Sequence, residues 1–347
     1  MRARGVLSLS LGFLLAAVAL SAGAASDHVA AFTKEAPACT RFASTHGSDS
    51  AAGTKRRPFR TAQRLADSLR PGQTGCLRSG TYSDDSEEFV VRFDRAGRPG
   101  APITLRSNPG ERARIRGTIY VPEGSNHVTV SHLILEGQGE DSTFKAYATD
   151  VVLQYNDITN AWRGTNCVFL GSNDGWGTAV RPVIRGNRIH ECGRTGDSLD
   201  HGIYAANAVG GRIIGNRIWN SAGYAIQLYP NSQRMLVSRN VVDGGEPSVR
   251  GGIVVGGDDE HTSNGNVIEH NVIAYARWYN VSSTWEDAIG SGNVVRANCF
   301  WAASRENISS DGGLVAAGNR VGDPRFVNRA RRDYRLASGS RCRALLG

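Results

Sequence analysis

Long helical periodicity is almost absent from this chain. From about Cys76 onward, strands of three to five residues alternate with Asn or Gly turns. One element recurs. It reads Val152-Leu153-Gln154-Tyr155-Asn156-Asp157-Ile158, and returns as Val183–Ile189, Ile213–Ile218, Leu236–Val242, Val267–Ile273 and Val294–Phe300, with a weaker copy ending at Asn319. Its asparagines, Asn156, Asn187, Asn216, Asn240, Asn271, Asn298 and Asn319, are 31, 29, 24, 31, 27 and 21 residues apart. A period of about 20 to 30 residues with variable loops predicts a solenoid of stacked β-strands. Apolar residues flank each bend and point into one core. The Asn is expected to take the left-handed conformation that a sharp bend requires. Stacked Asn side chains can then hydrogen-bond from one turn to the next.

A second strand type lies between the Asn bends: Gly202-Ile203-Tyr204, Ala225–Tyr229 and Gly252–Gly256, with Cys167–Leu170 and Tyr279–Ser283 as looser members. With the Ile residues inward, alternation puts Tyr204, Gln227, Val254 and Asn280 in one outward row. Tyr229, Gly256 and Ser282 form a second row beside it, and no lysine is expected on this face.

Ahead of the repeats, Ala62, Leu65, Ala66 and Leu69 make one apolar stripe at helical spacing. Pro58 suits the first turn and Pro71-Gly72 stops the run, so a helix over 59–70 is expected. Such a helix would cover the first open turn, whose bare strand edges otherwise invite association. Residues 26–57 read as a mostly irregular leader, residues 58–347 as the solenoid, and residues 320–347 as its closing segment. Residues 1–25 read as a secretory signal: Arg2 and Arg4, an apolar Leu7–Leu20, then Ala22-Gly23-Ala24, with cleavage near Ala24. No other stretch is long and apolar enough for a bilayer, so no membrane insertion is expected after cleavage.

Six cysteines in an exported chain suggest disulfides, and none forms a Cys-x-x-Cys zinc pair. Stacking brings segments about one repeat apart together, which favours Cys39–Cys76, Cys167–Cys192 and Cys299–Cys342. The 40 Lys and Arg exceed 32 Asp and Glu. Only Lys34, Lys55 and Lys145 are lysines, so the excess is arginine, which suits carboxylate or sulfate recognition. The arginines are scattered, which argues against nucleic acid.

Three stretches carry a resemblance. Gly47–Ser50 through Pro58–Thr61 to Ser79–Tyr82 is similar to the start of extracellular β-helix proteins. Pro102–Ser107 with Pro109–Glu111 resembles the early turns of β-helix polysaccharide lyases. Asp323–Val327 with Asp333–Leu336 and Gly339-Ser340 is similar to their closing segment. The chain thus resembles the pectate-lyase-like, right-handed parallel β-helix superfamily. The resemblance implies an all-β fold and a secreted, carbohydrate-active protein. Activity in such a superfamily varies, since fold does not fix function.

Candidate chemistry lies in two segments. Asp197–Tyr204 brings carboxylates, an imidazole and a phenol to the entry of the outward face. His201 and Tyr204 suit general acid–base work, with Asp200 and Tyr229 beside them. Alternation also puts His201 on the side of Ile203, which would make it part of a hydrogen-bonded turn. Asp258, Asp259 and Glu260 could bind calcium, supply a carboxylate pair for glycoside hydrolysis, or form a solvated turn. Gln227, Trp176, Trp285 and Arg250 are candidates for substrate binding. The resemblance implies a lyase that neutralises a uronate with Arg or calcium and eliminates across C4–C5. A monomer acting on an acidic polysaccharide is the leading expectation; a glycan-binding or cell-surface structural β-helix and a glycoside hydrolase are the alternatives.

Overall fold

The computed structural model describes residues 38–86, 88–283 and 287–346. The expected signal segment, its cleavage site near Ala24, and the leader up to residue 37 lie outside them. Three parallel sheets run the length of a right-handed β-solenoid. The first has eleven strands, from Arg41–Ala43 to Leu314–Ala317. The second has ten, from Gly80–Ser83 to Arg320–Val321. The third runs from Val91–Arg92 to Ile308–Ser310, with Ala179–Val180 paired alongside.

Each sheet sends one column of side chains inward. In the first, Leu153, Ile184, Ile213, Val237, Ile268 and Val295 stand in register and are buried. In the second, the column is Ile158, Ile189, Ile218, Val242, Ile273 and Phe300. Burying each such side chain contributes about 1.5–3 kcal/mol. Because strands are only a few residues long, these columns and the backbone ladders together hold the turns.

The recurrent asparagines form one continuous ladder at the corner between the first and second sheets. The amide of Asn156 donates to Oδ1 of Asn187 at 3.1 Å, and the pattern continues through Asn216, Asn240, Asn271 and Asn298 to Asn319. Each Oδ1 also accepts the backbone N–H of the preceding Asn. The left-handed residue, however, is the one before each Asn, not the Asn itself. Tyr155, Gly186, Gly215, Arg239, His270, Ala297 and Gly318 have φ between 51° and 65°. The Asn instead turns its amide into the corner, where bent backbone leaves N–H and C=O groups without strand partners.

The expected helix forms as α1, Ala62–Ser68, shorter than 59–70 because Thr61 caps it by accepting the Arg64 N–H. Ala62, Leu65 and Ala66 are buried. Within the segment read as irregular, Arg41–Ala43 adds the first strand of the first sheet. All three expected disulfides form. The closing segment lies against the second sheet. Asp243 of that sheet receives two hydrogen bonds from Arg329 and one from the Tyr334 phenol, and Cys342 is tied to Cys299. The last turn is left open: Val321, in register with buried Phe300, is 61% exposed.

The ladder predicts a graded stability effect. Asn240→Ala takes partners from the Asn216 backbone N–H, one Asn216 amide N–H and the Ile213 carbonyl in the interior and lowers the unfolding free energy by roughly 3 kcal/mol. Asn319→Ala, at the half-buried end of the ladder, costs about 1 kcal/mol. Denaturant unfolding of the two variants checks the order.

Candidate functional site

The outward face of the third sheet is built by register alone. Arg92, Tyr120, Lys145, Phe169, Tyr204, Gln227, Val254, Ser282 and Ser309 pair in sequence across nine strands and form one row. This corrects two expectations. Ser282, not Asn280, occupies the row, because Val281 is the residue in register with inward Ile253. Asn280 is buried at the corner and bonds to Asn307. The row also contains a lysine. Lys145 lies between inward Phe144 and Ala146, and its ammonium pairs with Asp141 at 2.9 Å.

Aromatic rings run along this face. Successive ring centres are 4.7 Å apart for Phe89–Tyr120, 5.5 Å for Tyr120–Tyr147 and 5.9 Å for Tyr147–Phe169. They are 5.2 Å apart for Phe169–Tyr204 and 6.5 Å for Tyr204–Tyr229. At its N-terminal end the line meets a cleft of about 1090 Å³ whose walls include Phe89, Arg92, Asp84, Asp85 and Glu88. Sequence reasoning missed Phe89, Tyr120, Lys145, Tyr147 and Phe169. Phe89, Tyr120, Lys145 and Tyr147 precede the first clear Asn repeat, Phe169 sits in the looser Cys167–Leu170 strand, and only the register across sequence gaps of about 25 to 35 residues aligns the row.

Of the expected catalytic residues, Tyr204 and Tyr229 meet on the face and Gln227 stands next to Tyr204 in the row. Burial pushes the Tyr204 phenol up, with Tyr229 and Asp258 adding to it and a hydrogen bond from Gln227 opposing it. The phenol therefore stays protonated at neutral pH. His201 and Asp200 lie behind the face. Asp200 is bound by the backbone N–H and guanidinium of Arg194. His201 is 1% exposed, and its Nδ1 accepts the Tyr224 N–H at 3.1 Å. Both order the turn, which is the alternative the alternation rule had offered for His201.

Arg250 reaches the edge of the face, where its guanidinium stacks 3.6 Å from the centre of the Trp278 ring. Trp176 is 64% exposed on the loop between Gly171 and Gly177, and Trp285 lies outside the described residues. The Asp258 carboxylate is engaged by the N–H groups of Glu260 and His261 and by the His261 ring, while Asp259 and Glu260 point to solvent. Among the described residues, no three His, Cys, Asp or Glu side chains group as metal ligands.

The buried His201 gives a pH signature. Burial, with Arg250 adding to it and Asp197 opposing, lowers its pKa to about 3. In the unfolded chain it titrates at about 6.5. Below that pH the unfolded state binds a proton that the folded state refuses, so stability falls as pH drops from about 6.5 toward about 3. His201→Asn, which keeps an acceptor for Tyr224, flattens this part of the stability–pH curve. Denaturant unfolding of both proteins across that range measures the difference.

A stretch of 76 residues, 22% of the chain, is 34% identical to YwoF of Bacillus subtilis (strain 168), and one of the same length is 37% identical to the pectate lyase PEL9 of Emericella nidulans. These matches span only 15% and 18% of those proteins. The crystal structure of pectate lyase Pel9A superposes with a TM-score of 0.61 at 14% identity, covering 88% of this chain and 91% of that one. Residues 117–300 match the family model described as right handed beta helix region. That match takes in more than half of the sequence and most of the face just described, and the chain belongs to this right-handed β-helix family.

Proposed function

We propose that the protein is a secreted polysaccharide lyase that cleaves an acidic, uronate-containing glycan by β-elimination, with the outward row of the third sheet as its active face. The observation that carries this reading is the placement of Lys145 and Tyr204 on either side of Phe169 in one row. Adjacent strands are about 4.8 Å apart, so the two long side chains can flank a single sugar lying on the Phe169 ring. In its neutral form Lys145 takes the C5 proton. The C5–H electron pair forms the C4–C5 double bond as the C4–oxygen bond breaks, and the Tyr204 phenol donates its proton to the leaving oxygen. The names of the similar proteins, pectate lyases PEL9 and Pel9A, agree with this chemistry. Export agrees with the three disulfides, which belong to oxidising compartments. No helix among the described residues is long and apolar enough to cross a membrane.

A second reading is a glycan-binding β-helix without catalysis. It is favoured by the Lys145–Asp141 ion pair, which already occupies the amine that proton abstraction would need.

The test is ultraviolet absorbance of unsaturated uronate ends, with alginate, pectate, chondroitin and hyaluronan as substrates, with and without calcium. The lyase reading predicts a rise on at least one polymer, cut by about a hundredfold or more in Lys145→Ala and in Tyr204→Phe. No rise on any polymer, with glycan binding retained, establishes the binding module instead.

A further inference from the structure

Arg250, Trp278 and Arg305 occupy equivalent positions on three successive turns. The Trp278 N–H donates to the Arg250 carbonyl, and the Arg305 N–H to the Trp278 carbonyl, each at 3.0 Å. The indole is therefore flanked by one guanidinium from each neighbouring turn, with the Arg250 and Arg305 carbons 3.6 and 4.3 Å from its ring centre. Two further contacts fix the cations. Arg305 donates to the Tyr279 phenol at 3.4 Å. Arg250 lies close enough to the Tyr224 phenol for its charge to act against the rise that burial gives that phenol's pKa.

Among the described residues, no carboxylate lies within 4.0 Å of either guanidinium; nearby Glu246 is paired with Arg277 at 3.6 Å. A guanidinium stacked on a ring keeps its N–H donors in the plane, aimed past the ring edge. That geometry suits a carboxylate or sulfate held by two parallel hydrogen bonds. The indole fixes both forks at no added ordering cost when a ligand arrives.

We infer that Arg250, Trp278 and Arg305 form an oxyanion subsite for carboxylate or sulfate groups of a glycan, at the C-terminal end of the face and several strands from Lys145. The inference rests on the proposed function only for the polymeric nature of the ligand.

The test is binding, measured by tryptophan fluorescence with polygalacturonate, chondroitin sulfate and a neutral galactan. At least one anionic polymer should bind and the neutral one should not. The preferred polymer tells a carboxylate from a sulfate source. Arg250→Gln/Arg305→Gln should raise Kd by tenfold or more and flatten its salt dependence. Arg305→Gln alone, at an exposed position, should give a smaller rise. Trp278→Phe should remove the fluorescence response. Unfolding midpoints verify that each variant is folded. Equal binding of the neutral polymer, no binding of any anionic polymer, or an unchanged Kd in the double variant overturns the subsite. The two readings fail separately. A lyase whose affinity ignores the arginines overturns the subsite and leaves the reaction. An inactive protein whose anionic-glycan binding needs them supports the subsite and overturns the reaction.

Discussion

Everything in this molecule depends on a turn of chain satisfying its backbone against the turn before and after it. Strands of three to five residues cannot stand alone. They persist because each N–H and C=O finds a partner one repeat away, and because the corners between sheets are closed as tightly as the sheets. The buried Asn ladder closes one of those corners. Each amide joins two turns, so the loss of one rung leaves polar groups stranded inside rather than exposed to water.

Such stacking explains how a functional face arises from distant segments. Lys145, Phe169, Tyr204 and Gln227 belong to four separate repeats, yet parallel register puts them side by side. Loops between strands can vary in length without disturbing that alignment. The arginines that stack on Trp278 follow the same rule, since Arg250, Trp278 and Arg305 each stand three residues ahead of the paired Ile253, Val281 and Ile308. The accessible part of the face thus runs from a cleft with acidic walls at Phe89, past a lysine and a line of rings, to Tyr204; Gln227, Val254 and Ser282 beyond it are buried, and the pair of guanidinium groups lies past them.

The repeats, the capping helix and the disulfide pairing were legible in the sequence, because apolar period, Asn spacing and cysteine spacing all report stacking directly. The left-handed position was misplaced by one residue. Asn is a common occupant of that conformation, but here its amide is needed inside the corner, so Tyr155, His270 or Ala297 takes the strained angle beside it. The row was displaced by two residues at Tyr279–Ser283, where either Asn280 or Ser282 fits alternation and only pairing with Ile253 decides. Lys145 was missed because Phe144-Lys145-Ala146 precedes Asn156, the first clear Asn bend, so no repeat marks it as a strand. His201 could be read as base or as turn residue, and burial places it in the turn.

The central claim is that the third sheet's outward row holds an acidic glycan. The most direct measurement is a crystal structure of the protein with an oligouronate. The account predicts sugar density along the third sheet, with rings over Phe169 and Tyr204 and carboxylates toward Lys145 or Arg250. Density confined to the first or second sheet, or an empty third sheet at saturating oligosaccharide, would contradict it.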